Sequence, residues 1–133
     1  MIEKLRPDIK KRQTDVVILH VGVNDCRSND FDLRETIRKY ECLINFLESE
    51  GVIVIVSLNI FSDSDILNRN IRNLNKELVN MCTRKYVNFI SNANISRNNL
   101  YDRGGHLNPS GRELLCDNIG TFLNFFVPYV FPN

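Results

Sequence analysis

The sequence predicts an α/β domain in which helices cover both faces of a parallel sheet. Two observations carry this. Short apolar runs, largely β-branched, alternate with longer segments whose apolar residues recur every three or four positions, giving strand-helix three times over. The strand runs are apolar almost throughout rather than at every second residue, as strands covered on both faces require. Right-handed crossovers then join the parallel strands. At 133 residues the chain is one domain's worth.

Residues 1–14 are polar and basic, with Pro7 and the cluster Lys10-Lys11-Arg12, and read as a short helix or linker into the first strand. The cluster reads as a solvated approach to that strand rather than a nucleic-acid contact. Val16 to Val21 form the first strand. Asp32 with Glu35 fits a variant of the capping box, and Leu33, Ile37, Tyr40, Ile44 and Leu47 mark a helix over about 33–49 that Gly51 stops in a left-handed conformation. Val52 to Val56 make the second strand. A helix beginning after Ser64 or Asp65 carries Leu67, Ile71, Leu74, Leu78 and Met81 on its buried face.

Tyr86 to Ile90 make the third strand, followed by a long polar loop from Ser91 to Asn108, and long loops in compact domains tend to carry function. Asn108 then caps a helix whose first position is Pro109, with Leu115, Ile119, Phe122 and Phe126 as its stripe and Pro128 as its end. Three strands leave a very apolar strand at a sheet edge. Association through Val16 to Val21 is therefore expected, as are further strands ahead of Met1.

Composition excludes several classes of function. A net charge of +1 gives no field for nucleic acid, and no run approaches a membrane span. The charged start, Met1-Ile2-Glu3-Lys4, lacks the apolar core of a secretory signal, so a cytosolic location is expected. Cys26, Cys42, Cys82 and Cys116 are widely spaced and only two histidines occur, which signals neither a zinc site nor a redox pair. Cys42, Cys82 and Cys116 read as core filler. No metal or organic cofactor is expected.

Two segments carry the chemistry. Gly22-Val23-Asn24-Asp25 follows the first strand directly, where a side chain projects into the crevice at the carboxyl ends of an open sheet. Asp102-Arg103-Gly104-Gly105-His106 leads into Leu107-Asn108-Pro109-Ser110-Gly111 at the last helix. His106 suits a general base near neutral pH, while His20, inside the apolar strand, reads as a core histidine with a satisfied hydrogen bond. Asp25 reads as a brace whose side chain bonds the turn's backbone amides.

Together these segments resemble the SGNH or GDSL hydrolase family over nearly the whole chain. That family carries Gly-x-Asn-Asp in its third conserved block. Its fifth contains Asp-x-x-His, commonly continued as His-Leu-Asn with a glycine shortly after. The resemblance implies a flavodoxin-like strand order, with the present segment supplying the third, fourth and fifth strands. It implies an oxyanion donor at Asn24, a base at His106 and an orienting carboxylate at Asp102. The usual spacing places Arg103 where the aspartate should be; Gly104 and Gly105 give the loop freedom for Asp102 to reach back.

The family's Gly-Asp-Ser nucleophile block is absent from the sequence. Ser28, Ser57 and Ser110 each read as a cap or turn residue, and nothing in the sequence around Cys26 argues for a reactive thiol. Two expectations stand. One is part of a serine esterase that cleaves a small acyl or acetyl ester in a longer parent and is inactive as this chain. The other is a degenerate, noncatalytic binding domain of the same fold, or a remnant of a mobile element, since similar domains accompany reverse transcriptases in some animal elements.

Overall fold

The computed structural model describes residues 15–101 and 105–130. The polar and basic approach over residues 1–14 lies outside them. The elements run β1 (Asp15–Leu19), α1 (Val23–Arg27), α2 (Leu33–Ser49), β2 (Val52–Ser57), α3 (Asp65–Lys85), β3 (Asn88–Ile90), a 3₁₀ turn (Arg97–Asn99) and α4 (Pro109–Val130). The three strands form one parallel sheet in the order β1-β2-β3. Its register pairs Asp15 with Val52 and Leu19 with Val56 on one side, and Ile55 with Asn88 on the other.

The long helices α2 and α3 start at side-chain caps. Asp32 accepts the Glu35 N–H at 3.1 Å, and Ser64 accepts that of Leu67 at 3.2 Å. Strand periodicity then sorts the core. Val17, Leu19, Val52, Val54 and Val56 share a cluster with Tyr40, Leu43, Ile44 and Leu47 of α2 and Ile71, Leu74 and Leu78 of α3. Ile55, fully buried, lies outside that cluster, as do the buried Ile90, Ile95 and Leu100. Helices therefore lie around the sheet, α2 and α3 together against one face and α4 against β3 and the 3₁₀ turn. Among the described residues no helix is long and apolar enough to cross a membrane.

Four local expectations need correction. The first strand ends at Leu19 rather than Val21, because the Tyr40 hydroxyl donates to the Val21 carbonyl and His20 bonds sideways to Ser57. Tyr86 and Val87 precede β3 instead of belonging to it: Tyr86 ends α3 at φ 57°, a left-handed position more often given to glycine. The last helix runs through Pro128 to Val130; a proline removes one backbone bond and kinks a helix without having to end it. Of the cysteines read as core filler only Cys82 is buried, whereas Cys42 and Cys116 are exposed.

Candidate active site

Where β1 leaves the sheet, the chain turns at Gly22 with φ 122°. A β-carbon there would lie 2.8 Å from the Tyr40 hydroxyl and 3.1 Å from Leu74 Cδ2. Only glycine lets the turn sit this close to α2 and α3. Helix α1 follows at once, the Cys26 N–H bonding the Gly22 carbonyl at 3.1 Å. One turn of helix sends alternate residues in opposite directions: Cys26 enters the core at 2% exposure, while Asn24 is exposed. Asn70 of α3 donates to the Cys26 carbonyl at 3.1 Å and ties this turn down.

Asp25 contributes to the turn through its backbone, whose carbonyl accepts the Ser28 N–H at 3.2 Å, and not through the side-chain bonds expected of it. Burial, with the Asp25 charge adding to it, pushes the Cys26 thiol up to about 11. A thiol so placed stays protonated at neutral pH and is a poor nucleophile.

His106 is presented by a clamped loop. Its carbonyl accepts the Tyr101 N–H at 2.8 Å, Leu100 and Leu107 form an antiparallel bridge, and the Asn108 N–H bonds the Asn99 carbonyl at 2.9 Å. Asn108 caps α4 as expected, accepting the Gly111 N–H at 2.9 Å, and its amide also donates to the Asn98 carbonyl at 2.9 Å. Asn24 and His106 line one crevice of about 640 Å³ together with His20, Arg27, Ser62 and Arg112. Asp102, with Arg103 and Gly104, lies outside the described residues.

A second hollow of about 660 Å³ adjoins it, sharing Arg27 and Ser62 and continuing along Ser28, Phe31 and Asn70. Among the described residues Ser62 is the serine that lines the crevice, and its hydroxyl is committed. It accepts the Ser64 N–H at 3.0 Å and lies 3.3 Å from Asn68 Oδ1. Ser28 is a turn residue, its hydroxyl accepting the Asp30 N–H at 3.1 Å. Ser110 bonds Asn108 and Asn99. Ser57 is fully buried, which the strand pattern implies but its reading as a turn residue does not.

His20 is the residue that sequence reasoning misplaced. It is exposed at the crevice rather than enclosed in the core, and its Nδ1 lies 2.8 Å from Ser57 Oγ. Its pKa lies below the usual 6.5 because partial burial disfavours the charged ring, a backbone contact with Ser57 opposing in part. The signal was available, since a residue two positions before Gly22 leaves a parallel strand at its ligand-binding end. Behind Ser57, Asn92 donates to both Ser57 Oγ (2.9 Å) and the Leu58 carbonyl (2.7 Å), and Asn118 of α4 donates to Asn92 Oδ1 at 3.0 Å. This ladder of amides fixes the loop after β3 against the sheet.

No protein-family model and no curated protein matches the sequence. Solved structures do. A protein described as an acylhydrolase of Bacteroides fragilis superposes with a TM-score of 0.80 at 14% identity, over 95% of this chain and 69% of that one. A GDSL-like lipase of Bacteroides thetaiotaomicron gives 0.76 at 12% identity, over 92% and 68%. A protein described as lipolytic and of the G-D-S-L family, from Desulfitobacterium hafniense, gives 0.69 at 13%, over 91% and 74%. At such identities the likeness speaks of architecture alone, and by it this chain has the SGNH/GDSL hydrolase fold.

Proposed function

We propose that the crevice is the acid-base and oxyanion half of a serine esterase site acting on a small acyl or acetyl ester. The observation that carries the reading is that Asn24 and His106 line one crevice in a fold shared with GDSL-type lipases. In the longer parent the nucleophile comes from a Gly-Asp-Ser block not present in this sequence. Its hydroxyl oxygen attacks the ester carbonyl carbon while His106 takes the proton and then passes it to the departing alkoxide. Water next attacks the acyl-serine by the same route in reverse, His106 accepting the water proton and returning it to the serine as the acid leaves. Asn24 donates to the oxyanion at each stage, a contact worth about 10²–10³ in rate. Asp102 is assigned the orienting role by motif.

For the 133-residue chain by itself a binding role is the second reading, favoured by the committed hydroxyl of Ser62. The test is to read the gene upstream of Met1 for Gly-Asp-Ser, express the extended protein, and assay a short-chain aryl ester. Turnover that His106→Ala abolishes, with the fold retained, supports the reading. Equal activity in the mutant refutes the base assignment, and no turnover by the extended protein refutes the esterase.

A further inference from the structure

Asn24 follows closely on a carbonyl that the core holds. The Tyr40 hydroxyl, on a ring of α2 that is 4% exposed, donates to the Val21 carbonyl, and the chain then turns at Gly22. A β-carbon on Gly22 would lie 2.8 Å from the same hydroxyl and 3.4 Å from Asn59 Nδ2, so backbone, phenol and amide meet at one place. Asn70 fastens the other end, its amide donating to the Cys26 carbonyl at 3.1 Å. The short helix α1 carries Asn24 between these two fastenings.

The direction of the hydrogen bonds at this node is set from α3. Asn75 accepts the Asn59 N–H at 2.9 Å and donates to the Asn59 carbonyl at 2.9 Å, so contact with backbone orients its amide. Asn75 Oδ1 also accepts from Asn59 Nδ2 at 3.3 Å. Turning the Asn59 amide over would set oxygen against oxygen, so its nitrogen stays on this side, where it also bonds the Tyr40 hydroxyl. Asn59 is 3% exposed, and its Oδ1 is buried with no hydrogen-bond partner among the described residues. A buried acceptor without a donor is unfavourable, and an apolar residue would avoid it; what the amide supplies is its donor edge. With its oxygen accepting from Asn59, Tyr40 has one hydrogen and uses it on Val21. Burial pushes that hydroxyl above its ordinary pKa, the bond from Asn59 opposing in part, so it stays a donor at neutral pH.

We propose that Tyr40 is a positioning residue: through the Val21 carbonyl it fixes the turn that aims the Asn24 amide at the oxyanion, with Asn70 holding the far end. The inference rests on the esterase reading for its purpose and on interior contacts for its geometry. Tyr40 is buried and does not line the crevice, so its effect on rate passes through the turn.

The test has two arms. In the chain as it stands, hydrogen exchange is read at the Cys26 amide, which bonds the Gly22 carbonyl at 3.1 Å, and at the Val87 amide beyond the far end of α3, which bonds the Cys82 carbonyl at 2.8 Å. Tyr40→Phe, which keeps the ring, should speed exchange at Cys26 about five-fold relative to Val87, as loss of one hydrogen bond implies. Asn70→Ala should do the same with little change in the urea midpoint, since alanine suits a helix better than asparagine. In the extended protein each variant should lower kcat about ten-fold with KM unchanged, and Tyr40→Phe should add little to Asn24→Ala. No acceleration at Cys26, or equal acceleration at Cys26 and Val87, overturns the clamp and leaves Tyr40 a core residue only. A Tyr40→Phe loss just as large in the Asn24→Ala background overturns the assignment too. Absence of turnover overturns the catalytic purpose together with the esterase reading, and the exchange arm, read without any turnover, separates that failure from failure of the clamp.

Discussion

Adding one methyl group at two glycines of the same helix is expected to change stability in opposite directions. A β-carbon on Gly111, in the first turn of α4, would stand 2.2 Å from the Asn99 carbonyl oxygen and 2.9 Å from Leu107 Cδ2. The first contact is with backbone and falls roughly 1 Å short of the ~3.3 Å at which carbon meets a carbonyl oxygen. No rotamer relieves it, so the helix start or the 3₁₀ turn must move. Overpacking of that kind costs about 1–3 kcal/mol, against a helix-propensity gain of about 1 kcal/mol for replacing glycine. Displacement of Asn108 adds to the loss, because its amide bridges the two segments.

Gly111→Ala should therefore be destabilised by about 1–2 kcal/mol, lowering the urea midpoint by roughly 1 M at an ordinary slope. Gly120 has nothing within 4 Å of the same added atom, so Gly120→Ala should gain about 0.5–1 kcal/mol. Equilibrium urea unfolding of the three proteins decides the matter. A Gly111→Ala protein as stable as its parent, or two shifts of the same sign, would refute the close approach of α4 to the 3₁₀ turn.

Thiol titration of the native chain should separate the cysteines into two classes: Cys42 and Cys116 react promptly, while Cys26 and Cys82, buried with thiols pushed up to about 11, react only on unfolding. Asn75→Ala removes the acceptor of the Asn59 N–H and the donor to the Asn59 carbonyl, so a loss of about 1–3 kcal/mol is expected in the same urea assay. Since the folded-state pKa of His20 lies below the usual 6.5, its neutral form stabilises the fold fully above about that pH. That contribution is lost as pH falls from there through the folded value, and His20→Phe should flatten this part of the stability profile. We further propose that chains associate through the β1 edge of the sheet, which sedimentation across a concentration series would show; a monomer at every concentration would refute it.

Much of the fold was legible because its signals are local and mutually consistent. The caps at Asp32, Ser64 and Asn108 are where the sequence placed them, and the left-handed stop at Gly51 has φ 80°. What escaped depended on contacts distant in sequence. Nothing near Val21 announces that Tyr40 will take its carbonyl, nor that Ser57, 37 residues from His20, will turn that ring out of the core. Asn92 and Asn118 likewise read as ordinary polar loop and helix residues until the sheet brings them together. Asn24 and His106 could be named from short motifs, but their common crevice depends on the Tyr101 and Leu107 contacts that close the loop.

Among the described residues, several fastenings near the crevice are made by carboxamides: Asn59 with Asn75, Asn92 with Asn118, Asn94 with Asn118, Asn99 and Asn108 across the helix start. A carboxamide carries no formal charge and does not titrate in water. Acid, alkali and added salt thus leave these joints alone, whereas an ion-paired scaffold would slacken under the same treatments. Whatever the two imidazoles do as the medium changes, these amide joints beside them stay uncharged.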